Sequence, residues 1–392
     1  MGKTIILFWT SFFILFYCYC GYGILIFFIN KIKRLFTFSS KNRIFDSPIP
    51  VTLIVAAYNE ESVLEDKVKN SLALDYPGLN IIFVTDGSID GSDEIVQQYP
   101  FITLLHHSER KGKFAAIRRA MQFVETPIVV FSDANSMLNK DCIHKIASHY
   151  CDPKVGGVAG EKKILHSSST IGDAESLYWK YESFMKKQDA NFNSVVGAAG
   201  ELFSIRTELF TELENDLILD DFMISMKICL QGYRIEYEPG AFAVETPSTS
   251  LNEEEKRKVR ISAGAFQSVG YLSNALNFFK YPLLSFQYIS RRLLRWMICP
   301  LLLVVALFTN ILLANYTSIQ LYKWTLFIQL FFYSMALLGW FFVRSGWRTR
   351  VLNVPFYFVF MNYCLIKGLF TFLNGGHTVL WKKSLRLQPT AE

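Results

Sequence analysis

The run from Thr4 to Asn30 contains no charged residue in 27 positions, and nothing else in the chain constrains its fold as strongly. As a helix rising 1.5 Å per residue, this run reaches about 40 Å, more than the roughly 30 Å hydrocarbon core of a bilayer. It is also longer than the 7–15 apolar residues of a secretory signal core, and no small-residue cleavage site precedes Lys31, Lys33 and Arg34. An uncleaved, somewhat tilted anchor is therefore expected over residues 1–30. The positive-inside rule places residue 31 onward in the cytoplasm, against a single Lys3 on the other side.

Hydrophobic residues make up 51% of the chain and aromatic residues 16%, but the charges crowd into residues 31–260. Past residue 263 apolar character returns. The stretch Phe278 to Leu294 is interrupted by Lys280, Arg291 and Arg292, so residues 263–295 read as interfacial helices. Trp296–Tyr316 and Leu321–Val343 are long enough to cross. Their topology puts the Arg344/Arg348/Arg350 loop on the cytoplasmic side. Val354–Leu373 contains Asn362 and Lys367 and reads either as a further crossing or as a re-entrant or interfacial helix, since charge in hydrocarbon is costly. The C-terminal membrane region is thus 296–374, followed by a tail, 375–392, with Lys382, Lys383 and Arg386.

The net charge of +6 sits beside apolar spans, at Lys31/Lys33/Arg34, Arg291/Arg292/Arg295 and Arg344/Arg348/Arg350. That placement suits anionic lipid head groups and argues against nucleic acid as a partner. The seven cysteines show no metal-ligand spacing, which excludes a zinc site or a disulfide framework.

Between the apolar ends, residues 45–262 read as one α/β domain. Short continuous apolar runs at Val51–Ala57, Ile81–Thr85, Phe101–Leu105 and Ile128–Ser132 alternate with helical stretches at Glu60–Leu74 and Lys113–Val124. Continuous rather than alternating runs suit strands covered on both faces, as in a mostly parallel sheet. Ligands gather at the carboxyl ends of such strands.

Polar clusters stand at those ends. The first, Ala56-Ala57-Tyr58-Asn59-Glu60-Glu61, ends a strand with small residues and offers Asn59 as a helix cap. The second, Thr85-Asp86-Gly87-Ser88-Ile89-Asp90-Gly91-Ser92, is an acidic turn whose carboxylates can accept hydrogen bonds from a base or ribose. The third is Asp133-Ala134-Asn135. In an extended chain side chains i and i+2 share a face, and an acid with an amide there offers oxygen ligands to Mg or Mn bridging phosphates. The fourth, Asp220-Asp221, opens the helical run Phe222–Leu230, and one acid can cap that helix while the other faces a cleft. Taken singly, each cluster also fits a plain turn or cap.

In this order and spacing the clusters resemble the family 2 glycosyltransferases of GT-A fold, in a membrane-bound branch related to polysaccharide synthases. The resemblance spans residues 48–265. It implies that Ala56, Tyr58 and Glu60 line a nucleotide pocket, that Asp86 reads the base or ribose, and that Asp133 and Asn135 stand where the family has its D-x-D. Asp221, with Asp220 beside it, stands at the position of the catalytic base. Gly112-Lys113, Gly197-Ala198-Ala199-Gly200-Glu201, Ser204-Ile205-Arg206, Gly232-Tyr233-Arg234 and Glu238-Pro239 are similar too. Three positions depart from the family pattern: Thr85 where many members have Asp, Asn135 for the second acid, and Lys256-Arg257-Lys258-Val259-Arg260-Ile261 in place of Q-x-x-R-W.

The resemblance implies a GT-A domain with one N-terminal and two to three C-terminal membrane helices, catalysing inverting transfer from a nucleotide-diphosphate sugar. A Mg or Mn ion on Asp133 and Asn135 holds the donor phosphates, Lys113 and Arg260 offset charge on the leaving diphosphate, and Asp221 deprotonates the acceptor hydroxyl. The acceptor is expected to be a lipid-linked sugar or a growing glycan. Ile261 removes an aromatic stacking surface and favours single addition over processive synthesis. The alternative from another class is a non-catalytic membrane protein that binds nucleotide sugars or glycans.

Overall fold

A computed structural model describes residues 1–36, 48–165, 170–214, 216–347 and 349–376. Residues 45–47, Arg348 and the basic residues Lys382, Lys383 and Arg386 lie outside the described residues.

The strands are β1 (Val51–Ala57), β2 (Leu79–Asp86), β3 (Thr103–His107), β4 (Ile128–Asp133), β5 (Met137–Leu138), β6 (Val155–Ile164), β7 (Phe203–Arg206) and β8 (Arg234–Glu245). They form one sheet in the order β3-β2-β1-β4-β7-β6-β8-β5. The half built from β3, β2, β1 and β4 is parallel. Beyond it β7 runs antiparallel to both β4 and β6, β6 and β8 are parallel, and β5 is antiparallel to β8. The sheet is therefore mixed, with its parallel half where the apolar runs are continuous.

Every residue of β1 is buried because helices cover both faces. On one face Ile54, Ala56, Val129 and Phe131 pack with Phe114 and Ile117. On the other Leu53, Val55 and Val130 meet Leu64, Val68 and Ile143. The helices are α1 (Gly2–Phe16), α2 (Tyr22–Phe36), α3 (Glu61–Leu72), α4 (Ser92–Gln97), α5 (Lys113–Met121), α6 (Cys142–Ser148), α7 (Thr170–Phe192), α8 (Asp220–Leu230) and α9 (Leu251–Tyr271). They are followed by α10 (Pro282–Tyr288), α11 (Cys299–Tyr316), α12 (Gln320–Arg344) and α13 (Arg350–Leu373).

Among the described residues four helical stretches are long and apolar enough to cross a membrane: Gly2–Phe36, Pro282–Tyr316, Gln320–Arg344 and Val351–Leu373. The first joins α1 to α2 through a π-helical segment, Tyr17–Gly21, and the second joins α10 to α11 through Ile289–Ile298. Much of the stretch read from sequence as interfacial is thus the first half of a 35-residue helix. The arginines that interrupt it are paired. Arg291 is buried, with Nη2 2.6 Å from Glu182 Oε2 and Nε 3.2 Å from Asp189 Oδ2 on α7. The same α7 is clasped by α2, where Tyr22 donates to Asp189 at 2.6 Å and Asn30 to the Gln188 carbonyl at 2.9 Å. Helix α7 is thereby the joint between sheet and membrane helices.

Candidate active site

A cleft of about 1360 Å³ opens at the carboxyl ends of β1 and β4 and continues between α7, α9 and the apolar helices. The strand register sets its floor. Ala56 pairs with Asp133 and Ala57 with Thr85, so the first three polar clusters emerge side by side.

The first two are latched together. Asn59 takes a left-handed backbone, φ 52°, a conformation asparagine tolerates better than most side chains. Its Oδ1 accepts from Ile89 N at 2.9 Å, and its own amide donates to Ser88 Oγ at 3.1 Å. The start of α3 is satisfied from across the cleft edge, with Glu60 N donating to Ser92 Oγ at 3.0 Å and Glu61 N to Asp90 Oδ2 at 3.1 Å. Asn59 is thus a bridge to the second cluster, and Ser92 and Asp90 cap the helix in its place. Ala56, Tyr58 and Glu60 line the cleft, and the Arg110 guanidinium lies 3.6 Å from the centroid of the Tyr58 ring.

Asp86 sits behind this wall, fully buried. Its Oδ2 accepts from Gly112 N at 2.7 Å, and both its oxygens accept from Lys111 N. The carboxylate holds the turn into α5, where Gly112 has φ 99°. That turn aims Lys113, which donates to Asp133 Oδ1 at 2.5 Å.

The fourth cluster meets them at Gly200. A Cβ added there would stand 2.7 Å from Lys113 Nζ, 3.3 Å from Asp221 Oδ2 and 3.6 Å from Asp133 Oδ1. Glycine leaves that point open, and a cation and two carboxylates surround it. Asp221 Oδ1 accepts from Phe222 N at 2.7 Å, while burial and the neighbouring Asp220 push its carboxyl up to about 7 against the opposing pull of Lys113. Asp220 itself is buried, and its Oδ2 has no hydrogen-bond partner among the described residues. Arg260 of α9 lines the same cleft. Burial lowers its guanidinium, and Asp220, Asp221 and Asp133 act in the opposite sense. The structure therefore brings Asp133, Asn135, Lys113, Asp220, Asp221 and Arg260 to one cleft, with Asp86 one layer behind.

Residues 48–264 match the model of the family described as "Glycosyltransferase like family 2", more than half of the chain. The chain belongs to that family. Among curated relatives, this family 2 glycosyltransferase is 27% identical over 228 residues to the poly-beta-1,6-N-acetyl-D-glucosamine synthase of Staphylococcus aureus strain COL, a match covering 55% of each chain. The synthase of the same name from Staphylococcus epidermidis is 24% identical over 228 residues. The chain thus spans about half the length of the curated relatives it matches. Among solved structures, the mannosyltransferase PcManGT from Pyrobaculum calidifontis, in complex with GDP-Man and Mn2+, superposes with a TM-score of 0.68 at 20% identity. That likeness covers 94% of this chain and 99% of the other, and it shows that the glycosyltransferase has a GT-A-type sheet domain, with the shared fold extending over most of the chain.

Among the described residues of the glycosyltransferase, no three His, Cys, Asp or Glu side chains are grouped to hold a metal unaided. At the end of β4, the carboxylate of Asp133 and the amide of Asn135 both line the cleft. That donor set fits a Mg or Mn ion that takes most of its oxygens from a diphosphate.

Several structural residues of the site were absent from the sequence reading. Lys67 of α3 is fully buried and donates to Ser132 Oγ at 2.7 Å and to the Ser136 carbonyl at 2.5 Å. It thereby grips both ends of the turn that carries Asp133 and Asn135, and burial pushes its ammonium down to about 7. The signal was present in the sequence, because Lys67 lies three residues after Leu64 and four after Val63, on the apolar face of its helix. Lys162, also buried, bridges Glu201 beside Gly200 to Glu245, whose other oxygen accepts from Ser136 at 2.6 Å. Helix α7, which supplies Trp179, Glu182 and Lys186 to the cleft, has Tyr178, Tyr181 and Met185 at helical spacing, a signal diluted by the polar residues buried among them.

Proposed function

We propose that this enzyme is an inverting glycosyltransferase that moves a sugar from a nucleotide-diphosphate donor to a lipid-linked or glycan acceptor in cell-envelope or exopolysaccharide synthesis, with its catalytic domain on the cytoplasmic side. The observation that carries this reading is the convergence of Asp221, Lys113 and Asp133 on the open point at Gly200, in a cleft that continues among apolar helices. In the reaction the acceptor hydroxyl attacks the anomeric carbon, the new C–O bond forms as the bond to the diphosphate breaks, and Asp221 takes the hydroxyl proton. A carboxyl near 7 is matched to that task, basic enough to accept the proton yet ionised in an appreciable fraction at neutral pH.

Lys113 and Arg260 are placed to offset the charge that develops on the leaving diphosphate. Ala56, Tyr58 and Glu60 would flank the nucleotide, with Asp86 shaping the pocket through the 110–112 turn. Asp133 and Asn135 would hold the divalent ion, which when bound neutralises the donor phosphates. Ile261 lines the cleft where an aromatic platform would favour a lengthening chain, and supports single addition. The test is nucleotide release by the detergent-solubilised protein across UDP- and GDP-sugars with Mg or Mn, beside Asp221→Asn. Donor-specific, Asp221-dependent release supports the reading. Equal release by the variant defeats the base assignment, and donor binding without any turnover leaves a missing acceptor or the non-catalytic alternative.

A further inference from the structure

A second charged cluster lies deeper in the cleft, away from the strand ends. Lys186 of α7 is 4% exposed and lines the cleft, yet it makes no hydrogen bond or ion pair with any described residue. Its ammonium rests 5.7 Å from the centroid of the Trp179 ring. Lys258 of α9, 5% exposed, stands 5.9 Å from the same ring. Its Nζ is 3.4 Å from Glu254, whose carboxylate Arg257 also holds at 3.1 Å. Arg292 reaches the cleft from the helix 282–316, with Nε on the Val196 carbonyl at 3.0 Å and Nη1 3.8 Å from Glu182.

The neighbouring carboxylates are already engaged. Glu182 is held by Arg291 and Arg295, each at 2.6 Å, and Glu201 is paired with Lys162. A buried ammonium left without an anion is expensive, and burial lowers both Lys186 and Lys258. An incoming anion would reverse that penalty.

Position identifies the anion's carrier. The carboxylates whose field reaches Lys186 are Glu201, beside the reaction point, and Glu182, toward the membrane helices. On the reaction side lies Asp221. On the other side the cleft wall turns apolar among the membrane helices, at Phe332, Phe358, Met361 and Leu365. A molecule lying along the cleft would thus have its apolar tail among those helices, an anion at Lys186 and a reactive hydroxyl at Asp221. Two ammonium groups and a guanidinium fork suit the several oxygens of a phosphate.

We propose that Lys186, Lys258 and Arg292 form a phosphate-binding site at the membrane end of the cleft, and that the acceptor is a phosphate-bearing lipid. The second half rests on the transferase reading above, whereas the site itself does not.

The experiment is equilibrium binding to the full detergent-solubilised chain, followed by tryptophan fluorescence, with farnesyl phosphate, farnesol and inorganic phosphate as probes. UDP and GDP with Mn are titrated in the same preparation to report on the donor end. Farnesyl phosphate should bind at least about tenfold more tightly than either other probe. Lys186→Met should lose about tenfold, with nucleotide binding unchanged, and Lys186→Arg should retain most of the affinity. Farnesol binding as tightly as farnesyl phosphate would overturn the anion site, and inorganic phosphate binding as tightly would overturn the lipid. Unaltered affinity in a folded Lys186→Met would remove Lys186 from the site. If that variant does not fold, the comparison of probes on the unaltered protein decides alone. Absence of binding by both UDP and GDP with farnesyl phosphate selectivity intact would leave the site standing and sink the transferase reading, and the reverse would sink the site only.

Discussion

A methyl group at Gly200 would lie 2.7 Å from Lys113 Nζ and 3.3 Å from Asp221 Oδ2, although the backbone there is not left-handed and an alanine fits its conformation. Gly200→Ala should therefore fold normally and lose about 100-fold in turnover, because displacement of reacting groups by about 1 Å carries a penalty of that order. A steady-state kcat beside a thermal melt checks it. Asp221→Asn should lower kcat by about 100- to 10,000-fold while leaving donor affinity within a few-fold. In the unaltered enzyme the rate should rise with pH through about 7 as the Asp221 carboxyl ionises. The sign for stability is opposite. A carboxyl raised in the folded state favours folding below its unfolded value, and that advantage is lost as pH rises through about 7. Asp221→Asn should consequently melt higher than the unaltered protein at pH 8 and not at pH 4, which separates a burial effect from a catalytic one.

At the scale of elements, legibility followed burial. Strands β1 and β4 and helices α3, α5 and α8 were readable because each packs against neighbours of the parallel half, where a continuous apolar run or stripe is required. The strand read at Phe101–Leu105 begins instead at Thr103, since the chain still turns through Ile102, whose amide donates to the Tyr99 carbonyl. Strands β6 and β8 escaped notice. Gly156, Gly157 and Gly160 interrupt β6, and Pro239-Gly240 falls within β8 where the pairing register slips between Gly160 and Glu161. Helix α7 escaped for a different reason. Glu175, Glu182, Gln188 and Asp189 are all buried, and the partners of the two glutamates, Arg257 and Arg291, are 82 and 109 residues away. No local pattern announces pairing at that range. The turn between β4 and β5 gives the element-scale test. Lys67→Met should loosen the grip on Ser132 and Ser136 and raise the Mn concentration for half-maximal activity about tenfold, with a smaller effect on kcat at saturating metal, as measured by metal titration.

For the whole molecule, the junction between sheet and membrane helices combines apolar packing, as where Tyr22 and Ile26 meet Met185, with a buried ionic cluster. Glu182 is held by Arg291 and Arg295, and those guanidinium groups keep its carboxyl well below the usual carboxylate range. Its stabilising contribution is in place at neutral pH and is lost only as pH falls through that depressed value. Truncating it leaves buried arginines uncompensated, so Glu182→Ala should destabilise by about 3–5 kcal/mol, seen as a lowered melting temperature in detergent. Added salt should do little, since the pair is screened from solvent. One rod, Pro282–Tyr316, carries Arg291 and Arg292 near one end and Leu301 to Leu313 toward the other. Its tilt is therefore shared by the bilayer and the cleft. A thinner or thicker membrane, by changing the angle at which that rod sits, would move the Arg292 guanidinium relative to Asp221, and lipid acyl length would act on this enzyme as a dial on its catalytic geometry.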